Sequence, residues 1–372
     1  MNVTDMVCTH KSIEDSFSSG VAKKILNNER LSFDDGIKLY EFPLTVLGYL
    51  ANAKKEKLIA NNYVTFVVDR VISYTNICNV QCKFCAFYRL PNQNDAYILS
   101  DEDIFKKIEE LVSLGGTQVL FQGDVNPALN LNYFVRIFKE IKARYPIHLH
   151  SLSTVEIDYI ARKEGKPLYE VISILKEAGL DSIPGAGAEI LSERVRHDLS
   201  PLKISISRWL EIMETAHELE MHTTATMMYG SVETIEERIR HLILIRELQD
   251  KTGGFTAFIP WSFSPLKTEL YNIVPATGLD YLKTIAIARL MLDNIKHIQS
   301  GWLTEGHKMA QIALSFGADD MGGTLIEDKV LGATGIKVNS SIEMMIHCIR
   351  RAGKIPVQRN TKYKIIRIFD ET

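Results

Sequence analysis

The sequence has few cysteines, no long apolar segment and no strong excess of charge. Its 43 lysines and arginines nearly balance its 46 aspartates and glutamates, which gives a net charge of −3. This balance provides no electrostatic reason to expect a nucleic acid or an anionic membrane as partner. No apolar run is long enough to span a bilayer, and the first residues, MNVTDMVCTHK, lack the apolar core of a signal peptide. We therefore expect a cytoplasmic protein with no nucleic-acid partner and no membrane span.

Three of the five cysteines lie within one short segment, CNVQCKFC. Cys78, Cys82 and Cys85 have the spacing C-x-x-x-C-x-x-C, whereas Cys8 and Cys348 lie near the chain ends. Clustered thiols in a reducing compartment bind metal or react more often than they form disulfides. A structural zinc site requires four ligands, and no second C-x-x-C pair is present. A cubane iron–sulfur cluster bound by three cysteines keeps one iron open to another ligand. The triplet therefore predicts such a cluster, with a zinc knuckle or incidental thiols as the alternative.

Predicted strands and helices alternate after a helical stretch at about residues 10–62. The strand segments are, in chain order, VTFVVDRVISYT, QVLFQG, IHLHSLS, DSIPGAGA, HTTATMMYG, GFTAFIPW, HIQSGWLT and DDMGGTL. This alternation favours a parallel α/β sheet, and eight such units close a TIM-type (β/α)8 barrel or a near-complete one. We expect an N-terminal helical arm (1–62) packed on the barrel, a barrel (63–355) and a C-terminal extension (356–372). The cysteine segment follows the first strand, at the end of the barrel where such folds have their active sites.

Two histidines lie in the third predicted strand, IHLHS. Residues two apart in a strand face the same side, so His148 and His150 point together and Ile147 and Leu149 point the other way. The apolar pair suits packing against helices, which leaves the histidines facing the barrel interior. There they are candidates for binding substrate or moving a proton, with satisfied interior histidines as the equal alternative.

The cysteine spacing, with the aromatic Phe84 directly before Cys85, resembles the signature of the radical SAM enzymes. The resemblance implies a 4Fe–4S cluster bound by the three cysteines, with its open iron on the amino and carboxylate groups of S-adenosylmethionine (SAM). Reductive cleavage of SAM then releases a 5′-deoxyadenosyl radical that takes hydrogen from a substrate. It further implies an external electron donor, a flavodoxin or a ferredoxin.

The same resemblance implies further SAM contacts at later strand ends. Gln122, Gly123 and Asp124 end the second strand, where the superfamily has a glycine-rich turn for the SAM amino group; Asp124 departs from the expected Gly-Gly and equally fits a simple turn. Glu189, in PGAGAEIL, resembles the residue that reaches the SAM ribose, with a helix cap as the alternative. Gly230 and Glu233, in MMYGSVET, resemble the adenine-side motif, although Thr234 and Glu237 also form a capping-box pattern.

Longer strings resemble one subgroup of this superfamily, over about residues 64–335. They are CKFCAFYR, AYILSDEDI, GGTQVLFQG, IHLHSLSTVEI, GLDSIPGAGAEIL, ATMMYGSVETIEERIRHL, DKTGGFTAFIPWSFSP and VPATGLDYLKTIAIARLMLDNI. The subgroup contains the futalosine-pathway enzymes of menaquinone biosynthesis and the tyrosine-using synthase of deazaflavin biosynthesis. GLDSIPGAGAEIL and GGFTAFIPWSFSP are most similar to the enzymes that cyclise dehypoxanthine futalosine. That resemblance implies hydrogen abstraction from C4′ of the substrate sugar, addition of the sugar radical to the benzoate ring, and loss of an electron and a proton. Arg89 is a candidate partner for the substrate carboxylate.

Overall fold

The computed structural model of the protein describes residues 14–59, 61–336 and 340–370. Before the first strand lie helices α1 (Gly20–Leu26), α2 (Phe33–Leu39) and α3 (Leu44–Leu58). Helix α2 begins with a capping box, in which Ser32 and Asp35 each accept a hydrogen bond from the other's backbone amide. Cys8 and the start of the predicted arm lie outside the described residues.

Parallel strands follow, separated by helices. The strands are β1 (Tyr63–Val67), β2 (Asp69–Ser73), β3 (Gln118–Gln122), β4 (His148–Ser151), β5 (Thr223–Tyr229), β6 (Phe255–Ser262), β7 (His297–Ile298) and β8 (Asp320–Gly323). They pair as β2-β3-β4, as β5-β6-β7 and as β1-β8. Strands β1 and β2 are the two halves of the first predicted strand, interrupted at Val68. Strand β1 pairs with β8, and strand β2 pairs with β3.

Isolated parallel bridges join these sheets into one ring. They connect His150 with Ser182, Ile183 with Thr223, Gln299 with Asp320, and Arg70 with Ile326. The fourth predicted strand, DSIPGAGA, is therefore reduced to the bridging residues Ser182 and Ile183, because Pro184 has no amide to donate and Gly185 touches the backbone of β5. The α/β TIM-type barrel architecture predicted from the sequence is confirmed.

The helices of the barrel and its C-terminal part have the following bounds. They are α4 (Asp101–Ser113), α5 (Leu131–Arg144), α6 (Thr154–Glu164), α7 (Leu168–Ala178), α8 (Glu193–Leu199), α9 (Ile206–Glu218), α10 (Ile235–Thr252), α11 (Gly278–Met291), α12 (Trp302–Ala313), α13 (Lys329–Gly332) and α14 (Ile342–Arg351). Helices α6 and α7 are separate because Gly165 ends α6 in the left-handed region and Pro167 precedes the first residue of α7.

Helix α11 shows how the N-terminal helices pack on the barrel. Its residues Tyr281, Leu282 and 284–291 are all buried, without the polar face of an ordinary barrel helix. The reason is that α3 packs on α11 from outside, while β6 lies beneath it. Among the described helices, none combines the length and apolar character needed to cross a membrane.

The C-terminal residues complete the wall at the amino-terminal ends of the strands. Strand β9 (Ile355–Arg359) pairs in parallel with β1 at 63–66, and β10 (Ile365–Ile368) returns antiparallel to β9. The turn between them, residues 360–364, is drawn under the barrel interior, where Tyr363 stacks on His297 with ring centroids 3.6 Å apart. This end of the barrel is therefore closed by the tail.

Candidate active site

A cavity of about 430 Å³ occupies the barrel interior. At one end it is lined by Cys78, Cys82 and Cys85, and at the other by Arg359, Thr361 and Tyr363. We call these the cysteine end and the floor. The cavity therefore extends from the loops at the carboxyl ends of the strands to the C-terminal turn.

The cysteine loop is fixed by its own backbone. The amide of Cys85 donates to the carbonyl of Cys82 over 3.0 Å, and the amide of Cys78 donates to the carbonyl of Arg89 over 3.0 Å. Gln81 has a φ of 51°, an unusual value for a residue other than glycine, which turns the chain sharply before Cys82. The guanidinium of Arg89 donates to the carbonyls of residues 86–88 and pairs with Asp95 at 2.6 Å. Arg89 thus braces this loop and does not line the cavity.

The three thiols are a suitable donor set for a cubane cluster. Burial raises the pKa of Cys78 and of Cys85 to about 12, and it also raises the pKa of Cys82. Such thiols stay protonated unless a metal compensates the thiolate charge. Within the described part of the chain, no three His, Cys, Asp or Glu side chains converge closely enough for a single metal ion. A cubane differs in that each thiolate binds its own iron, so its ligands line a wall without meeting at one point.

The strand-end segment Gln122-Gly123-Asp124 lines the cavity beside the cysteines. A Cβ at Gly123 would lie 2.6 Å from the ring of Tyr74, so glycine is required there by packing. The amide of Gly123 donates to the buried Glu156 over 3.3 Å. Burial, reinforced by Glu156, raises the pKa of Asp124 to about 7. Its Oδ2 atom is buried without a hydrogen-bond partner, which leaves an acceptor for a polar ligand.

Glu189 lines the cavity together with Lys203, a residue that the sequence analysis did not single out. Lys203 Nζ lies 2.9 Å from Glu189 Oε1 and 4.8 Å from the ring centroid of Phe84. Burial opposes the charge of Lys203, but Cys82 and Glu189 together raise its pKa. Glu189 has a φ of 41° and its Oε2 atom is buried without a partner. Residues other than glycine with such a backbone conformation cluster at active sites and ligand-binding sites.

Gly230 and Glu233 lie away from the cavity lining. Glu233 accepts hydrogen bonds from the amides of Gly230 (2.6 Å) and Ser231 (2.9 Å) and pairs with Arg238 at 2.8 Å. Its carboxylate therefore closes the turn after β5. The capping box of Thr234 and Glu237 is present at the start of α10.

The two histidines of β4 point to the same side, as the alternation predicts, and both contact Ser182. The Oγ atom of Ser182 is 2.7 Å from His148 Nε2 and 2.6 Å from His150 Nδ1. Burial lowers the pKa of His148 to about 4 and that of His150 to about 3. His150 lines the main cavity, which His148 does not, and both histidines line a small second cavity of about 10 Å³.

The floor contains polar residues that the sequence analysis missed. Arg359 donates to Asp320 over 2.5 and 3.0 Å, and both side chains are at most 3% exposed. Thr361 Oγ1 donates to Gln118 Oε1 over 2.7 Å, which ties the tail to β3. Among the described lining residues, Lys203 and Arg359 are the only lysine and arginine. The one available signal was the polar tail VQRNTKYK, which cannot be placed in the barrel from sequence alone.

Comparison with known proteins identifies the family. Residues 72–245 match the model of the radical SAM superfamily, and residues 252–372 match the CofH/MqnC C-terminal region. The chain is 44% identical over 354 residues to the cyclic dehypoxanthine futalosine synthase of Halalkalibacterium halodurans, covering 95% of this chain and 96% of the relative. It is 42% identical to the enzyme of the same name from Streptomyces coelicolor, covering 92% and 87% of the two chains. It is also 37% identical to the aminodeoxyfutalosine synthase of Thermus thermophilus, covering 97% and 99%.

Solved structures agree at the level of the fold. Methylornithine synthase superposes with a TM-score of 0.73 at 17% identity, covering 91% of this chain and 97% of the other. The FeFe-hydrogenase maturase HydG from Carboxydothermus hydrogenoformans superposes with a TM-score of 0.74 at 16% identity, covering 94% and 81%. Taken with the sequence relatives, these matches show that the chain is a radical SAM enzyme and belongs to the family that includes the cyclic dehypoxanthine futalosine synthases.

Proposed function

We propose that this enzyme cyclises dehypoxanthine futalosine in the futalosine route to menaquinone. The observation that carries the proposal is the 44% identity to a cyclic dehypoxanthine futalosine synthase over 95% of the chain. The cavity of about 430 Å³ inside the barrel supports it, since radical chemistry requires a site that surrounds its ligands and keeps them apart from bulk water. A molecule that fills this cavity reaches from the cysteine end towards the floor.

We propose that Cys78, Cys82 and Cys85 bind a 4Fe–4S cluster through their thiolates. When bound, the cluster and SAM supply the 5′-deoxyadenosyl radical that removes hydrogen from the substrate sugar. Phe84, between the last two cysteines in the cavity wall, covers this site from one side. We propose that an external flavodoxin or ferredoxin supplies the electron, as the resemblance implies. We also propose a cytoplasmic location, as the sequence analysis expects.

Lys203 and Glu189 are our candidates for the polar ends of SAM. An ammonium has three donors, of which Lys203 uses one on Glu189, so it can also donate to a carboxylate. The free Oε2 of Glu189 can accept from a ribose hydroxyl. Gln122, Gly123 and Asp124 lie on the neighbouring wall, where a ligand amino group would find the free Oδ2 of Asp124. For Gly230 and Glu233 we propose only an indirect role, in shaping the turn after β5.

The division of the chain that the sequence predicts remains part of this proposal. Residues 1–62 form the helical arm, 63–355 the catalytic barrel, and 356–372 the extension. In this scheme the extension contributes to the site through Arg359, Thr361 and Tyr363, which line the floor.

The proposal is tested by mass spectrometry of an anaerobic reaction. It contains the iron–sulfur-reconstituted enzyme, a reductant, SAM and dehypoxanthine futalosine. We expect 5′-deoxyadenosine together with a product lighter than the substrate by a pair of hydrogens, because one hydrogen atom goes to the adenosyl radical and one proton is lost.

Two other outcomes would contradict the proposal in different ways. Cleavage of SAM without the cyclised product would keep the radical enzyme and exclude this substrate. The aminodeoxyfutalosine synthase reaction would then be tested, in view of the 37% identity to that enzyme; the adenosyl group is expected inside its product. No SAM cleavage by a fully loaded and reducible enzyme would contradict the proposal as a whole.

A further inference from the structure

A continuous hydrogen-bonded chain of three side chains leaves the main cavity at its floor. His150, Ser182 and His148 form it, with Ser182 Oγ lying 2.6 Å from His150 Nδ1 and 2.7 Å from His148 Nε2. Ser182 stands at the seam where the reduced fourth strand bridges β4 through His150. The position of Ser182 between the two rings is therefore set by the strands of the barrel.

The two ends of this chain lie in different environments. His150 is buried and lines the main cavity. His148 is only partly buried and does not line the main cavity; it lines the small second cavity of about 10 Å³ together with His150 and Ser182. That volume is close to the space of one water molecule. The chain thus leads from the main cavity to the partly exposed ring of His148.

The chemistry of the hydroxyl group gives the chain a direction. A serine hydroxyl has one proton, so it donates to one ring while it accepts from the other. If His150 carries its proton on Nδ1, it donates to Ser182, and Ser182 donates to His148 Nε2. The second nitrogen of the His150 ring, Nε2, is then unprotonated and available to a ligand in the cavity.

We propose that His150, Ser182 and His148 form a relay that removes the proton lost from the substrate ring. The proposal rests on the cyclisation described above. After the sugar carbon has bonded to the ring, the C–H bond at the attacked carbon breaks and its electron pair returns to the ring. The proton goes to His150 Nε2, the Nδ1 proton passes to Ser182, and the hydroxyl proton passes to His148 Nε2. The one electron now in excess leaves to a one-electron acceptor of the iron–sulfur class.

The charged groups around His148 act on an imidazolium in opposite directions, and together with burial they keep the ring neutral at rest. Asp181 favours its charge, and Lys142 and Lys362 oppose it. Asp181 is itself paired with Lys142 at 2.8 Å, which anchors the carboxylate beside the ring. Burial lowers the pKa of both histidines, so each is neutral at rest and returns its proton to solvent quickly. His150 is therefore a proton acceptor without a permanent charge in the radical chamber.

A buried histidine outside this chain, His217, shows what a purely structural arrangement looks like. His217 contacts Thr252 Oγ1 and Thr223 Oγ1, each at 2.6 Å, so both ring nitrogens are satisfied inside the protein. It does not line the main cavity. In His150 one ring nitrogen faces Ser182 and the ring itself borders the cavity, which is the difference that the proposal uses.

The first test reads the tautomers by NMR of the full chain with 15N-labelled histidine, before the cluster is loaded. The relay requires that His150 carries its proton on Nδ1 and has an unprotonated Nε2, and that His148 Nε2 is unprotonated. The variant Ser182→Ala is expected to shift the nitrogen resonances of both rings. A proton on Nε2 of His150, or no response of either ring to Ser182→Ala, would overturn the relay independently of turnover.

The second test compares two products of the loaded enzyme. With Ser182→Ala we expect cyclised product to form about 10²-fold more slowly, while 5′-deoxyadenosine is released in excess over it, because hydrogen abstraction precedes proton loss. Ser182→Thr keeps the hydroxyl and should restore the ratio towards one to one. Ser151→Ala is the matched control, since Ser151 is a buried neighbour in β4 whose hydroxyl has no partner.

The outcomes separate the relay from the proposed function. Absence of the cyclised product with the wild-type enzyme contradicts the proposed function. The NMR measurement of the histidine tautomers then tests the relay by itself. Normal wild-type turnover with an unchanged Ser182→Ala variant contradicts the relay alone. An equal fall of both products in that variant also contradicts the relay, because it indicates a structural role of the hydroxyl.

Discussion

At the cysteine end of the cavity, Cys78, Cys82 and Cys85 lie within eight consecutive residues, whereas the floor combines segments from distant parts of the chain. The cysteine loop is braced by its own carbonyls and by Arg89. The floor is held by side-chain contacts between β3, β8 and the tail, such as the pair of Arg359 and Asp320. The two ends differ in their chemistry as well. The first suits a metal cluster and a charged cofactor, and the second suits an organic substrate that gives up a proton.

The difference indicates how such a site divides its tasks. Radical initiation requires soft ligands at fixed spacing, which one loop provides. Control of the radical afterwards requires a cavity that surrounds the substrate, and only the assembled barrel and its tail form one. Substitutions at the two ends are therefore expected to have different consequences, and the predictions below are ordered from the largest effect to the smallest.

Loss of one cluster ligand should abolish function at the cysteine end. Replacing Cys82 with Ala is expected to remove bound iron and all turnover, because two thiolates cannot fix the cluster. Iron content and 5′-deoxyadenosine release measure the effect. The control Cys348→Ala should keep both, and retention of the cluster in Cys82→Ala would contradict the assignment.

Breaking the buried ion pair should destabilise the floor. Arg359→Met leaves Asp320 buried without its cation, which is expected to lower the free energy of unfolding by about 3–5 kcal/mol. Denaturant unfolding followed by circular dichroism measures it. Arg136→Met, at the largely exposed pair with Asp101, should cost only about 0–1 kcal/mol. A similar loss of unfolding free energy in the two variants would show that the buried pair stabilises the protein no more than the exposed pair does.

Removing the cation of the cysteine end should weaken SAM binding. Lys203→Met is expected to raise the dissociation constant of SAM about ten- to a hundredfold, the equivalent of one charged hydrogen bond. Calorimetric titration of the cluster-loaded enzyme with SAM measures it. The control is Lys83→Met, which lies in the cysteine loop but outside the cavity lining. Unchanged SAM binding in Lys203→Met would exclude a direct contact.

The histidines of the floor should give stability a dependence on pH. Burial lowers the pKa of His150 from 6.5 to about 3. Between these values the unfolded chain binds a proton that the folded chain does not, so stability falls as the pH falls, by about 1.4 kcal/mol per pH unit for this group. His150→Gln removes this contribution, and its unfolding free energy should fall less steeply between pH 6.5 and pH 4. The mostly exposed His197 provides the control, as His197→Gln; equal slopes in wild type and His150→Gln would contradict the burial argument.

The same comparison explains what could be predicted from the sequence. The cysteine spacing and the strand–helix alternation are local patterns, and both the barrel and the family follow from them. The inward direction of His148 and His150 follows from strand alternation, which is local too. Ser182 was not recognised, because its partners depend on the bridge across a seam that local propensity does not determine.

Lys203 and Arg359 show the limit most clearly. Each looks like an ordinary surface cation in the sequence, yet the Lys203 side chain is 6% exposed and that of Arg359 is 3% exposed. Their burial depends on carboxylates elsewhere in the chain, Glu189 and Asp320. Conversely, Glu233 resembled a cofactor contact but is held by Arg238 and the turn after β5. Pairing between distant side chains, and not residue type, decides these positions.

The most direct test of the two-ended cavity is iron-edge anomalous diffraction from anaerobic crystals of the loaded enzyme with SAM and dehypoxanthine futalosine. The account predicts iron bound to Cys78, Cys82 and Cys85, with the substrate between SAM and His150. Iron bound elsewhere, or a substrate outside the cavity, would contradict it.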